Sequence, residues 1–173
     1  MAADDSVCAI RPLEERDFAS VTDLARTIWL AHYVTMISTE QIEYMLRGRF
    51  THENLRRYLD SRERWMDVLE CNGRLAGYCS YALTSAPGEI KLEQLYLLPE
   101  LHGRGLGKHM LDHVERRALQ LGGRSLLLQV NKRNEKGLAL YRRASFTVRE
   151  EIVFDVGQGF VMDDYVMAKP LVG

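Results

Sequence analysis

Leu92-Glu93-Gln94-Leu95-Tyr96-Leu97-Leu98-Pro99-Glu100-Leu101-His102-Gly103-Arg104-Gly105-Leu106-Gly107-Lys108 is the stretch on which the reading of this chain turns. Its first half is apolar and strand-like, and Pro99 stops it. Gly103, Gly105 and Gly107 then alternate. After them Leu106, Met110, Leu111, Val114, Ala118 and Leu121 recur at the spacing of an amphipathic helix, with Gly122-Gly123 at its end. The order is strand, glycine-rich loop, helix. Such a loop suits phosphate: glycine allows close backbone approach, and the first N–H groups of a helix have no intrahelical partner. Arg104 and Lys108 add positive charge beside it.

Three nucleotide motifs compete for the loop. A Walker A sequence ends in Gly-Lys-Ser/Thr and opens on a glycine five positions before the Gly of that ending. Gly107-Lys108 fits its end, but His102 replaces the first glycine and His109 the hydroxyl residue. A dinucleotide fingerprint, Gly-x-Gly-x-x-Gly, is met by Gly103 and Gly105 but has Lys108 where the third glycine belongs. The third pattern is Gln/Arg-x-x-Gly-x-Gly/Ala. Gly105 and Gly107 match it, with His102 in the Gln/Arg place.

Working outward, residues 7–11 read as a first strand. Asp17 precedes a helical stripe of Phe18, Val21, Leu24, Ala25, Ile28 and Trp29. Ser38 or Thr39 caps a second helix with Gly48 just past its end, and Thr51 opens a third. Residues 64–70 form a strand, Asn72-Gly73 a two-residue hairpin, and residues 75–83 the returning strand. Residues 89–98 are the next strand. The apolar run 125–130 suits a buried parallel strand. Asn134 caps a short helix, and residues 147–156 and 160–167 close the chain as a hairpin. The order is β-α-α-α-β-β-β-α-β-α-β-β, expected to give one mixed α/β domain of the α+β type over residues 1–173. A right-handed parallel β-α-β unit spans residues 89–130 of an otherwise mostly antiparallel sheet, with helices on both faces.

Composition narrows function. The 23 basic and 24 acidic residues give a net charge of -1, which argues against a dedicated nucleic-acid binder. No apolar run approaches the roughly 18 residues of a membrane span. Residues 1–6 are polar and acidic, unlike a signal peptide, so the cytoplasm is the expected location. Cys8, Cys71 and Cys79 are an odd number without a Cys-x-x-Cys pair, and are expected as free thiols in a reducing compartment with no metal role.

The stretch 92–108 resembles the fourth strand and cofactor loop of the GNAT acetyltransferase superfamily. About twenty residues further on, Leu126-Leu127-Leu128-Gln129-Val130-Asn131, then Asn134, Leu140-Tyr141 and Phe146 are similar to the family's fifth strand, its Asn, its Leu-Tyr helix and its Gly-Phe turn. The closing Asp164-Tyr165-Val166-Met167-Ala168-Lys169-Pro170-Leu171 resembles its last strand. The resemblance runs from about residue 10 to 171 and is specific over 92–146. Two positions depart from the pattern: His102 replaces Gln or Arg, and Ser145 replaces Gly.

The resemblance implies the GNAT fold and acetyl-CoA as co-substrate. The backbone of Leu95, Tyr96 and Leu97 is implied to hold the pantetheine arm, the loop His102, Gly103, Arg104, Gly105, Leu106, Gly107 and Lys108 the pyrophosphate, and Asn131 and Asn134 the other wall. Tyr141 matches the family tyrosine near the sulfur and is the expected acid for the leaving thiolate. Glu93 is similarly placed to a catalytic glutamate of polyamine-acetylating members and is the expected base. A primary amine with a pKa of about 10.4 arrives protonated, so a proton acceptor is needed. His32, Tyr81, Asp155 and the Asp163-Asp164 pair are other carriers, although that pair reads more readily as a solvated strand start. Trp29, His32, Tyr33, Tyr78, Tyr81 and Asp155 are candidate acceptor-pocket residues. The expected reaction is direct acetyl transfer to a primary amine of a small molecule. The alternatives are a protein N-terminal or lysine acetyltransferase and a non-catalytic acyl-CoA-binding module. The expectation is compatible with a homodimer.

Overall fold

The computed structural model describes residues 7–173. The N-terminal segment expected to lack a leader lies outside the described residues. The elements are β1 Cys8–Pro12, α1 Phe18–Tyr33, α2 Thr39–Arg49, α3 His52–Asp60, β2 Arg64–Cys71, β3 Arg74–Leu83, β4 Glu89–Leu97, α4 Leu106–Gln120, β5 Ser125–Asn131, α5 Glu135–Arg143, β6 Thr147–Gly157 and β7 Phe160–Pro170. They follow the expected order. Among the described residues seven strands form one sheet in the order β1-β2-β3-β4-β5-β7-β6. Of their six pairings only β4 with β5 is parallel; the other five are antiparallel.

Local chemistry sets the element ends. The Ser38 hydroxyl accepts from the Gln41 N–H, the Thr51 hydroxyl from Asn54 N–H, and the Asn134 amide oxygen from Gly137 N–H. Each meets one of the donors that a helix start leaves open. Asn72 and Gly73 both take positive φ, 51° and 78°, as a two-residue hairpin between twisted strands requires. Gly48 departs from expectation. It lies inside α2, which runs on to Arg49 and ends where the Phe50 ring is buried. Burial of that ring outweighs the low helix propensity of one glycine.

The sheet separates two apolar cores. On one face Met110, Leu111, Val114 and Ala118 of α4 and Leu138 and Tyr141 of α5 pack on Leu92, Leu126, Leu128 and Val130. On the other, Phe18, Val21, Leu24, Ala25 and Ile28 of α1 and Leu55 of α3 pack on Met66, Val68 and Tyr78. No helix among the described residues is long and apolar enough to cross a membrane.

The cysteines differ from expectation. The β1–β2 register sets Cys8 directly opposite Cys71, and the two form a disulfide. Only Cys79 is a free thiol, and it is fully buried, which pushes its pKa up. Spacing along the chain did not reveal the pair, because 63 residues separate its members. Denatured without reductant, the protein is expected to present one thiol to a thiol reagent, and three after reduction. Cys8→Ser is expected to cost about 2–4 kcal/mol in denaturant unfolding, because the bridge closes a long loop. Three titratable thiols before reduction would contradict the bridge.

Candidate active site

β4 and β5 pair only from Glu89 with Ser125 to Leu92 with Leu128. Both strands continue, to Leu97 and Asn131, but apart. The parting coincides with an irregularity on the other side of β4. Tyr81 pairs with Leu92 and Ser80 with Gln94, which leaves Glu93 as an extra residue. A bulge of this kind bends the strand and re-aims a side chain. Beyond it Leu95 and Leu97 face α4 together with Leu92, while Tyr96 faces α1.

A cleft of about 1610 Å³ opens where the strands part. That exceeds the usual volume of a site for one small ligand, so two molecules can meet in it. The expected loop forms one end. Gly103 and Gly105 take φ of 78° and 79°, a region costly for residues with a Cβ. Gly105 stands immediately before α4, so the N–H groups of Leu106, Gly107 and Lys108 are first-turn donors without intrahelical acceptors. Gly103, Gly105, Gly107 and Lys108 line the cleft. The Lys108 ammonium also pairs with Asp112 at 2.6 Å. Arg104 is exposed and Leu106 packs on the α4 core; neither lines the cleft. His102 lines it too, and its Nε2–H donates to the Leu97 carbonyl at 3.1 Å, tying the loop to the end of β4. Two cations of α5, Lys136 and Arg143, line the cleft as well; the motif reading missed them.

Tyr141 projects from α5 into the same cleft. It is 9% exposed, with its ring edge-on to Phe146 at 5.7 Å. Burial pushes its phenol pKa above the ordinary value, and Tyr96 adds to the rise. Asn131 and Asn134 line the opposing wall, and both have turn-building work. The Asn131 oxygen accepts from Arg133 N–H, and the Asn134 oxygen caps α5. Ser145 takes φ of 72° in the turn before Phe146, so the turn usually built on glycine is kept by a strained serine.

The acceptor candidates divide. His32 and Tyr33 line the cleft. The Tyr33 and Tyr96 hydroxyls share a hydrogen bond of 2.6 Å, and burial raises both phenol pKa values. Burial lowers that of His32, helped by His102 and Lys136. Trp29 is core, its indole N–H donating to the buried Tyr78 hydroxyl at 2.8 Å. Tyr81 points to the opposite face of the sheet, in phase with Cys79, and donates to Asp67 at 2.8 Å. Asp155 is exposed on β6 and accepts from Gly157 N–H in its own turn. Glu93 lines the cleft, and its Oε2 accepts from the Arg64 guanidinium at 3.2 Å.

Two residues gain weight. Gln94 is buried in the cleft wall, its amide N–H donating to Ser80 Oγ at 3.0 Å. In sequence the Asp163-Asp164 pair reads as a solvated strand start. Asp163 is exposed and pairs with Lys132 at 2.8 Å, but Asp164 is 5% exposed and lines the cleft. Burial and then Asp163 push the Asp164 carboxyl up to about 6, against the opposing pull of Lys91 and Lys132. Asp164 falls in phase with the buried Met162 and Val166 of β7, and that alternation was visible in the sequence. Among the described residues no three His, Cys, Asp or Glu side chains are grouped to hold a metal ion.

Residues 22–146, well over half of the chain, match the profile of the acetyltransferase (GNAT) family. The chain belongs to the GNAT acetyltransferase family. It is thereby an N-acetyltransferase. Among curated GNAT relatives it is similar to the spermidine N(1)-acetyltransferase of Thermoplasma acidophilum, 26% identical over 158 residues that cover 89% of this chain and 94% of that one. It is also similar to an uncharacterised N-acetyltransferase of Mycobacterium tuberculosis, 26% identical over 136 residues, 79% of this chain and 86% of the other. In fold it matches the PaiA N-acetyltransferase of T. acidophilum, crystallised in complex with coenzyme A. The TM-score is 0.81 at 23% identity, over 95% of this chain and 99% of that one.

A methyl group at Gly107 would meet only Leu140 Cδ2, at an ordinary 3.7 Å. Gly107→Ala is therefore expected to keep or raise Tm while weakening coenzyme A binding about tenfold or more in calorimetric titration, because the methyl stands among the first-turn amides. Unchanged affinity would remove those amides from the binding site. Asp164 gives a pH prediction. Its folded pKa lies above that of the unfolded chain, so the folded state holds the proton more tightly. Stability from this group is complete below about pH 4 and lost as pH rises through about 6. Asp164→Asn is expected to be more stable than wild type at pH 7.5, by at most about 3 kcal/mol, and to converge with it near pH 4. Equal gaps at both pH values would overturn the assignment.

Proposed function

We propose that the chain transfers the acetyl group of acetyl-CoA to a primary amine of a small molecule by direct attack. The observation that carries this reading is the parted edge of β4 after Leu92, in one cleft with a glycine-started helix and the buried Tyr141. The residues fit the co-substrate. An extended arm can add to an open strand edge as another strand would, and first-turn amides beside Lys108, Lys136 and Arg143 suit phosphate. Coenzyme A in the PaiA complex, and the amine acceptor in the name of the T. acidophilum spermidine enzyme, support the same reading.

Acetyl-CoA supplies the activated acyl group. The backbone of Leu95, Tyr96 and Leu97 holds the arm, and a strand N–H aimed at the thioester oxygen stabilises the charge that develops there. Glu93 takes the proton of the attacking amine through a water, since Arg64 already holds one of its oxygens. Tyr141 gives its proton to the departing thiolate. The burial that makes the phenol hold its proton also raises the proton affinity of a thiolate in the same dry setting. The described cleft lining contains no Cys or Ser side chain, in keeping with direct attack. We read residues 1–173 as one N-acetyltransferase domain acting in the cytoplasm.

The test is coenzyme A release with a panel of small amines and peptides. Tyr141→Phe is expected to lower kcat by about 100-fold or more with acetyl-CoA affinity unchanged. Glu93→Gln is expected to flatten the alkaline rise in rate. Full turnover in Tyr141→Phe, or peptides preferred over small amines, would overturn this assignment.

A further inference from the structure

Among the described residues three buried side-chain polar atoms have no hydrogen-bond partner: Arg64 Nε, Gln94 Oε1 and Asp164 Oδ1. Two of them are acceptors, and both of those residues line the cleft. An unmet buried acceptor is costly, and more so on a carboxylate, so two along one cleft call for a donor.

Nearby groups do not supply it. The Gln94 N–H is committed to Ser80, so the amide oxygen is the end left over. Asp164 stands opposite Asn131 in the β5–β7 register, beyond the point where β4 and β5 part. The Asn131 oxygen accepts from Arg133 N–H, which fixes that amide's orientation, and its NH2 makes no bond to Asp164 Oδ1. Two cations act on the Asp164 carboxyl: Lys132, which pairs with Asp163 at 2.8 Å, and Lys91 of β4, which donates to Gln129 at 3.2 Å. Asp163 on its own strand and the Tyr96 phenol of β4 complete the titratable groups coupled to it.

An alkylammonium group has three N–H donors and a full charge, donors enough for both oxygens. A hydroxyl brings one donor and no charge. The attacking nitrogen has to shed its proton, and a buried carboxylate that favours the charged form would oppose that. This pair therefore suits a nitrogen that stays protonated, while Glu93, on the bulge, serves the one that reacts. Resting on the acetyl-transfer reading, we propose that Gln94 Oε1 and Asp164 Oδ1 form a seat for a second, unreacted ammonium group, which makes diamines the preferred acceptors.

The experiment compares butane-1,4-diamine with butylamine as acceptors of the full chain. In parallel, calorimetric titration of butane-1,4-diamine into the coenzyme A-bound protein reads binding without chemistry. Wild type is expected to prefer the diamine. Asp164→Asn is expected to raise KM for the diamine about tenfold or more with a smaller change in kcat, and Gln94→Met to raise it less, because a charged partner is lost only in the first. The preference over butylamine then collapses, and the diamine binding heat is lost. Thermal melting checks that both variants fold. A wild type that acetylates amines without preferring the diamine, or an Asp164→Asn variant that shifts both acceptors equally, overturns the seat and leaves the transfer reading standing. If no amine is acetylated, the transfer reading fails and the titration alone decides the seat: heat lost in Asp164→Asn supports it, and heat retained overturns it.

Discussion

Parallel pairing between β4 and β5 lasts for only four residue pairs, and the cleft is the space left when it stops. Up to Leu92 and Leu128 the strands meet each other's backbone needs. Past that point β4 presents an open edge to the interior of the protein. An open edge is a liability in most sheets. Here it faces a cleft, beside a helix start with unmet donors and under a cationic rim. The α4 crossover makes this possible. The glycine loop follows β4 directly in the chain and so stands at its carboxyl end, and α4 carries the chain back to begin β5 in parallel.

The two faces of the sheet divide the labour. On the α4–α5 face, apolar packing holds the loop and Tyr141 in place. On the α1–α3 face lie His32, Tyr33, Tyr96, Gln94 and Asp164, where polar groups are buried at a cost in stability. Asp164 shows the exchange plainly. Its carboxyl makes the fold less stable at neutral pH than a neutral side chain would, a common trade at functional positions.

Much of this was legible in the chain. Element order, the hairpin at Asn72-Gly73, the parallel unit and the glycine loop follow from periodicity and turn chemistry, which act locally. Tyr141, Glu93, His32 and Tyr33 line the cleft. The failures have one cause: they depend on which face or which distant strand a residue meets. Tyr81 looked like its neighbour Tyr78, yet alternation along β3 sends it to the other side. Cys8 and Cys71 meet only through strand register. Asp164 was set beside the exposed Asp163 as a charged pair, although its phase with Met162 and Val166 already marked it as inward. Lys136 and Arg143 lie outside the loop motif and reach the cleft only because α5 packs beside it.

The extra residue at Glu93 acts as a phase shifter in the strand. Leu92 and Leu95 share a face although they stand three positions apart, which an unbroken pleat forbids. Were Glu93 removed, Leu92 and Gln94 would follow one another in an unbroken pleat, and every side chain from Gln94 to Leu97 would keep its side. What would go is the local bend that a bulge gives its strand. The extra residue therefore sets the path of the backbone and leaves the two faces as they are.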